Sequence, residues 1–193
     1  VLWLFANGLD TAPVRKTDER TAVKSIGNST TCPRDLVNNE DVRLVFTVLA
    51  ESVAARLRDY GLKCTGIQIS LRDNQLYSAT RQGLLTKPSY LSADIINKAM
   101  ELFLANYNWF HPLRSVGIRA INLVTEKDHV QLALFDDIDE KTREQESLSH
   151  TIDAIHSRFG HGSLMRASCL LDSRLTGFNP KEDHVIHPVG YFN

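Results

Sequence analysis

The chain has 193 residues, with 22 Lys and Arg against 23 Asp and Glu, 42% apolar and 23% charged. That composition suits one water-soluble domain, or one domain with a tail, and excludes collagen-like, mucin-like and low-complexity chains. No run approaches the ~18 uncharged apolar residues that a membrane helix needs, so no membrane partner is expected.

Three cysteines, Cys32, Cys64 and Cys169, are odd in number and include no C-x-x-C pair. This argues against a disulfide framework or a zinc ribbon and for a reducing, cytoplasmic setting. The charge is uneven: residues 1–124 carry 15 Lys and Arg against 11 Asp and Glu, and residues 125–193 carry 7 against 12. A mildly basic half of this kind suits a polyanionic partner. Val1 stands where an initiator Met would, without the basic start or cleavage site of a signal peptide, so the chain reads as a piece of a longer protein.

Residues 1–9 are apolar and close on Asn7-Gly8, as the last turn of a helix does. Residues 10–20 are polar, contain Pro13 and lack a period, which predicts a linker. Residues 21–32 are rich in β-branched residues and read as a strand ended by Pro33. Over 40–60, Val42, Val45, Phe46, Leu49, Val53, Leu57 and Tyr60 recur at helical spacing. Asn38 or Asn39 caps that helix and Gly61 stops it. Residues 64–72 alternate with Ile67, Ile69 and Leu71 on one side. Asp73-Asn74 turns the chain into a returning strand over 76–84. Ser92 is expected to cap a second helix over 93–107, and 116–123 forms a fourth strand.

The order βαββαβ predicts an α+β domain over 21–124: a four-stranded, mostly antiparallel sheet with two helices on one face. The other face is expected to stay polar, carrying Lys24, Gln68, Ser70, Arg72, Ser78, Thr80, Arg81 and Arg119. Residues 125–138 read as a linker holding a short apolar island. Residues 139–193 read as a tail, with a helical stripe through Leu148, Ile152, Ile155 and Phe159.

Catalytic signatures are missing. There is no G-x-x-x-x-G-K, G-x-G-x-x-G, H-E-x-x-H or G-x-S-x-G. His150, His156 and His161 are six and five residues apart, which on one helix points them to different faces. His184-x-x-His187 and the carboxylates Asp136, Asp137, Asp139 and Glu140 are weak metal signals, so neither catalytic nor metal-ligating residues are assigned.

Particular segments then become recognisable. Lys24-Ser25-Ile26-Gly27, Thr30-Thr31 and Pro33-Arg34-Asp35 resemble the entry to the little-finger domain of Y-family DNA polymerases, nearest to the bacterial DNA polymerase IV branch. Residues from Trp3 to Asp10 resemble the end of the thumb, which sets 1–20 apart as thumb end and linker. Thr80-Arg81 lies where the family has a basic third strand, and the run from Arg114 to Arg119 resembles the start of its last strand. Arg158-Phe159-Gly160 and Arg166-Ala167-Ser168 resemble a tail found in Gram-positive relatives.

The resemblance implies a non-catalytic C-terminal part of a translesion polymerase. Its magnesium-binding carboxylates would belong to a palm that this sequence does not match, so no cofactor is expected here. It implies sequence-independent contacts to template-primer DNA, with Lys24, Ser25, Arg72, Thr80, Arg81 and Arg119 as candidates. Gln131-Leu132-Ala133-Leu134-Phe135 matches the pattern with which bacterial polymerases engage the sliding clamp, which assigns Gln131, Leu132, Leu134 and Phe135 to that partner. Two other readings stay open: a free-standing nucleic-acid or protein interaction module, and a metal-dependent enzyme using the C-terminal histidines.

Overall fold

The computed structural model describes residues 1–11, 23–125 and 140–180. The elements are α1 (Leu2–Ala6), β1 (Ser25–Leu36), α2 (Asn39–Asp59), β2 (Leu62–Asp73), β3 (Ser78–Ser89), α3 (Ser92–Asn106), β4 (Leu113–Thr125), α4 (Glu140–Phe159) and α5 (Ser173–Thr176). The four strands form one antiparallel sheet in the order β1-β4-β2-β3. Helix α2 lies over β1 and β4, and α3 over β2 and β3. This is the expected α+β architecture, with both long helices on one face.

The helices form where the apolar stripes predict. Asn38 caps α2 by accepting from the Asp41 N–H at 2.8 Å, and Glu40 and Asp41 in the first turn complement the helix dipole. Phe46, Leu49, Ile67, Ile69, Phe103 and Ile118 are all but fully buried between sheet and helices. Phe46 and Phe103 meet edge to face at 6.4 Å, a favourable arrangement for two aromatic quadrupoles.

Four local expectations change. Strand β1 does not end at Pro33 but runs on to Leu36, with a register irregularity between Thr31 and Leu36. As an edge strand it has a free side on which a missing N–H costs no ladder bond. Strand β3, the other edge, likewise runs on past Leu84 to Ser89 and includes Pro88. Ser92 is not the cap of α3. Leu91 occupies that position without a side-chain bond, and the nearby Ser89 hydroxyl accepts from the Leu91 N–H and donates to Asp94. Helix α4 begins at Glu140, two turns before Leu148, the first residue of its expected apolar stripe.

The tail wraps the helical layer. Residues 167–171 and α5 pack on α2, and α5 also touches β1. Leu175 is fully buried in the main core, and Cys169 is buried nearby. Arg34 of β1 clasps Asp41 with two N–H groups, at 2.8 and 2.9 Å, and reaches Asp172 at 2.8 Å. Asp172 in turn caps α5 through the Arg174 and Leu175 N–H groups. Arg166 bonds Glu51 and the Ser92 hydroxyl. The helical face is therefore covered, and among the described residues the opposite face of the sheet is not.

Candidate nucleic-acid interface

Strand register decides which side chains share the open face. Ile67, Ile69 and Leu71 of β2 point into the core, so Gln68, Ser70 and Arg72 point out. Their partners follow: Gln82, Thr80 and Ser78 on β3, and Arg119, Gly117 and Ser115 on β4. From β4 the same face extends to Ser25, Gly27, Ser29 and Thr31 on β1. The result is a shallow surface of seven hydroxyls and two amides, with glycines between them and Arg72 and Arg119 standing from it. At one end Ile121 and Leu84 flank Gly66 and add an apolar margin.

The glycines make that surface flat. A Cβ on Gly117 would sit 2.5 Å from Ser70 Oγ and 2.8 Å from Ser29 Cβ, distances that real Cβ atoms do not tolerate. One on Gly27 would lie 2.9 Å from Arg119 Cβ and from the Ile118 carbonyl oxygen. Cross-strand crowding thus excludes side chains at both positions. No ion pair ties Arg72 or Arg119 to another described residue. Arg72 lies opposite Ser115, four residues from Arg119 on β4, so the two cations are separated by about 14 Å along the strands at about 3.4 Å per residue.

Two residues expected on this face are not on it. Arg81 is paired with Ile69, whose side chain enters the core, so Arg81 projects to the helical side. There its Nε donates to Asn106 of α3 at 3.1 Å, and its Nη1 donates to the Thr80 carbonyl. Adjacent residues of a strand point to opposite faces, and Thr80 takes the open one. Lys24 precedes β1 and falls in the phase of Ile26, so it lies exposed at the margin. The face also includes Ser29, Thr31, Gln82 and Ser115, which had not been singled out; strict alternation through 25–31 and 115–121 was the available signal. The pentapeptide Gln131, Leu132, Leu134 and Phe135 belongs to lies outside the described residues, as do His184 and His187.

Other chemistry is sparse. Burial pushes the Cys64 thiol up to about 12 and the Cys32 thiol, despite nearby Arg34, up to about 11. Such thiols are poor nucleophiles at neutral pH. His156 and His161 do approach, with ring centroids 5.3 Å apart, because Gly160 at φ +91° turns the chain back after α4. Yet His156 Nε2 is hydrogen-bonded to the Leu164 carbonyl at 2.9 Å. Among the described residues no group of three or more His, Cys, Asp or Glu could hold a metal ion, and no helix is long and apolar enough to cross a membrane.

Residues 23–134 match the family model described as "impB/mucB/samB family C-terminal domain". The chain is 44% identical over 174 residues to DNA polymerase IV of Acetivibrio thermocellus, covering 90% of this chain and 43% of that protein. It is 32% identical over 174 residues to DNA polymerase IV 2 of Bacillus subtilis, covering 88% of this chain and 40% of that protein. The chain thus spans about two fifths of the length of these curated relatives. A solved structure described as "Complex of beta-clamp processivity factor and little finger domain of PolIV" matches 57% of this chain and 98% of its own, at 18% identity and a TM-score of 0.45. The chain belongs to the impB/mucB/samB family, whose C-terminal domain it carries, and so to the C-terminal part of the Y-family DNA polymerases.

Proposed function

We propose that this chain grips template-primer DNA by its phosphate backbone on behalf of a lesion-bypass polymerase and recruits that polymerase to the sliding clamp. The observation that carries the first half is the one-sided sheet. Its helical face is closed by α2, α3 and the tail, while its open face offers hydroxyls, amides and two cations without ion-pair partners among the described residues. Hydroxyls and arginines bond phosphate oxygens, which are the same in every sequence, so such a face holds damaged and undamaged duplex alike. Ser25, Arg72, Thr80 and Arg119 contact DNA in this reading. Lys24 and Arg81 contribute at most from the margins. Polymerisation, with its magnesium ions, is assigned to residues of a longer protein outside this chain.

The second half rests on the pentapeptide pattern. Leu134 and Phe135 supply apolar side chains for a pocket, and Gln131 and Leu132 flank them, as in other peptide-in-groove interactions. Burying two large side chains contributes about 3–6 kcal/mol, reduced by the cost of ordering the segment. The test is a pull-down with bacterial sliding clamp, using the full chain and Leu134→Ala/Phe135→Ala. Clamp binding should vanish while the urea midpoint and DNA affinity stay unchanged. A variant that unfolds places the pentapeptide in the core, and a folded variant that still binds places the recruiting site elsewhere.

A further inference from the structure

Helix α4 is attached in an unusual way. Its contacts to the sheet-and-helix body come from Thr142, Glu146, His150 and Asp153, spaced four, four and three residues apart and therefore on one stripe. Asp153 takes two N–H groups of Arg58, with Nη2 at 2.8 Å. Glu146 pairs with Lys63 at 3.0 Å, Thr142 bonds Lys87 Nζ at 3.3 Å, and His150 Nε2 meets the Tyr90 hydroxyl at 3.4 Å. The apolar stripe of Leu148, Ile152, Ile155 and Phe159 lies on a roughly opposite side of the helix. Leu148 and Phe159 are exposed, Ile152 and Ile155 are half-buried, and none of the four belongs to the core. The helix is therefore held by charge and hydrogen bonding rather than by apolar burial.

What it covers is a built site. Arg58 from the end of α2 and Lys63 from the start of β2 converge beside Tyr90, and Lys87 from the end of β3 meets the same stripe of α4 at Thr142. Lys63 Nζ lies 4.8 Å and Arg58 Cζ 5.8 Å from the centre of the Tyr90 ring. The Arg58 side chain is only 7% exposed beneath the arm. Two cations beside one aromatic ring repel one another, and Asp153 and Glu146 supply the counter-charge.

We propose that α4 is an ionically latched arm whose acidic stripe masks a second backbone-binding site for nucleic acid, formed by Arg58, Lys63 and Lys87. Released, the three cations become available to phosphates and extend the grip beyond the open face; the proposal rests on the nucleic-acid reading given above. Salt bridges at partly exposed positions weaken with ionic strength, so the latch competes with DNA on equal terms.

The experiment compares the full chain with Glu146→Gln/Asp153→Asn, measuring hydrogen exchange over 140–159 and the affinity for a labelled 20-base-pair duplex across a salt series. Release should lower protection of α4 alone and steepen the slope of log K against log salt from about −1.8 toward about −4.5, the change from two to five phosphate contacts. Adding Lys63→Gln/Lys87→Gln should bring the slope back to about −2.7, the value for three remaining contacts. A charge-matched control, Glu40→Gln/Glu144→Gln, should leave the slope unchanged. An arm that keeps its protection overturns the latch, and an arm that is released without a steeper slope overturns the masked site. Failure of the open-face reading is separable: Arg72→Gln/Arg119→Gln would then leave DNA affinity untouched, whatever the arm does.

Discussion

The strand register turns DNA binding into a quantitative expectation. Each phosphate neutralised on duplex DNA contributes about −0.9 to the slope of log K against log salt. With Arg72 and Arg119 as the cations on the open face, the slope for the full chain should be about −1.8. Raising salt from about 50 to 200 mM should then weaken binding about twelvefold. Arg119→Gln should halve the slope and reduce that loss to about 3.5-fold, because a single cation remains. Arg81→Gln should leave the slope where it was, since Arg81 points to the helical side and is held by Asn106. Lys24→Gln should behave in the same way. Anisotropy titrations of a labelled duplex at five or six salt concentrations, repeated with two unrelated sequences, resolve these cases. A slope near −3.6 that falls equally with Arg119→Gln, Arg81→Gln and Lys24→Gln would refute the register argument, because it would put Lys24 and Arg81 on the DNA.

Two further outcomes follow from the helical side. Leu175→Ala removes a side chain buried in the core and should cost about 2–5 kcal/mol in urea unfolding of the full chain; a loss of only a few tenths would show that the tail is not packed there. Hydrogen bonds from Arg34 hold the Asp41 carboxyl, and likewise that of Asp172, below the usual value of 3.8. A depressed native pKa stabilises the fold above the unfolded value and is lost as pH falls below it. Asp41→Asn should therefore cost about 1 kcal/mol at pH 7, Arg34 being partly solvent-screened, and progressively less below pH ~4. Urea midpoints at pH 7 and pH 3 check this, and an equal penalty at both would exclude the ion pair as its source.

The regular elements were legible because each is fixed by local periodicity. The α2 stripe and its Asn38 cap predict a helix that the structure shifts by one residue. Features set by tertiary context were not. Pro33 read as a strand end, and the returning strand was placed over 76–84, yet Pro33 and Pro88 both sit in edge strands where the ladder does not need their N–H. Arg81 was assigned to the open face by its charge, although its neighbour Thr80 already held that side; parity was in the sequence and polarity overrode it. The start of α4 lies among polar residues without an apolar stripe, and the partners of Thr142, Glu146 and Asp153, which are Lys87, Lys63 and Arg58, lie far away in the chain. The approach of His156 and His161 depends on the left-handed turn at Gly160, which spacing on a continuous helix cannot anticipate.

The sheet order also governs how the protein is made. Strand β4 is the last of the four to be synthesised, yet it lies between β1 and β2. Ser25 finds its partner only when Ile121 has been added, so β1 emerges from the ribosome with no neighbour to pair with. The β2–β3 hairpin and the two helices are complete long before. At about 5–20 residues per second, the first strand waits for several seconds as an unpaired, β-branched segment. Closing so long a loop is entropically slow. Insertion of β4 is thus the event that converts a collection of local elements into a domain, and it presents both faces of the sheet at once.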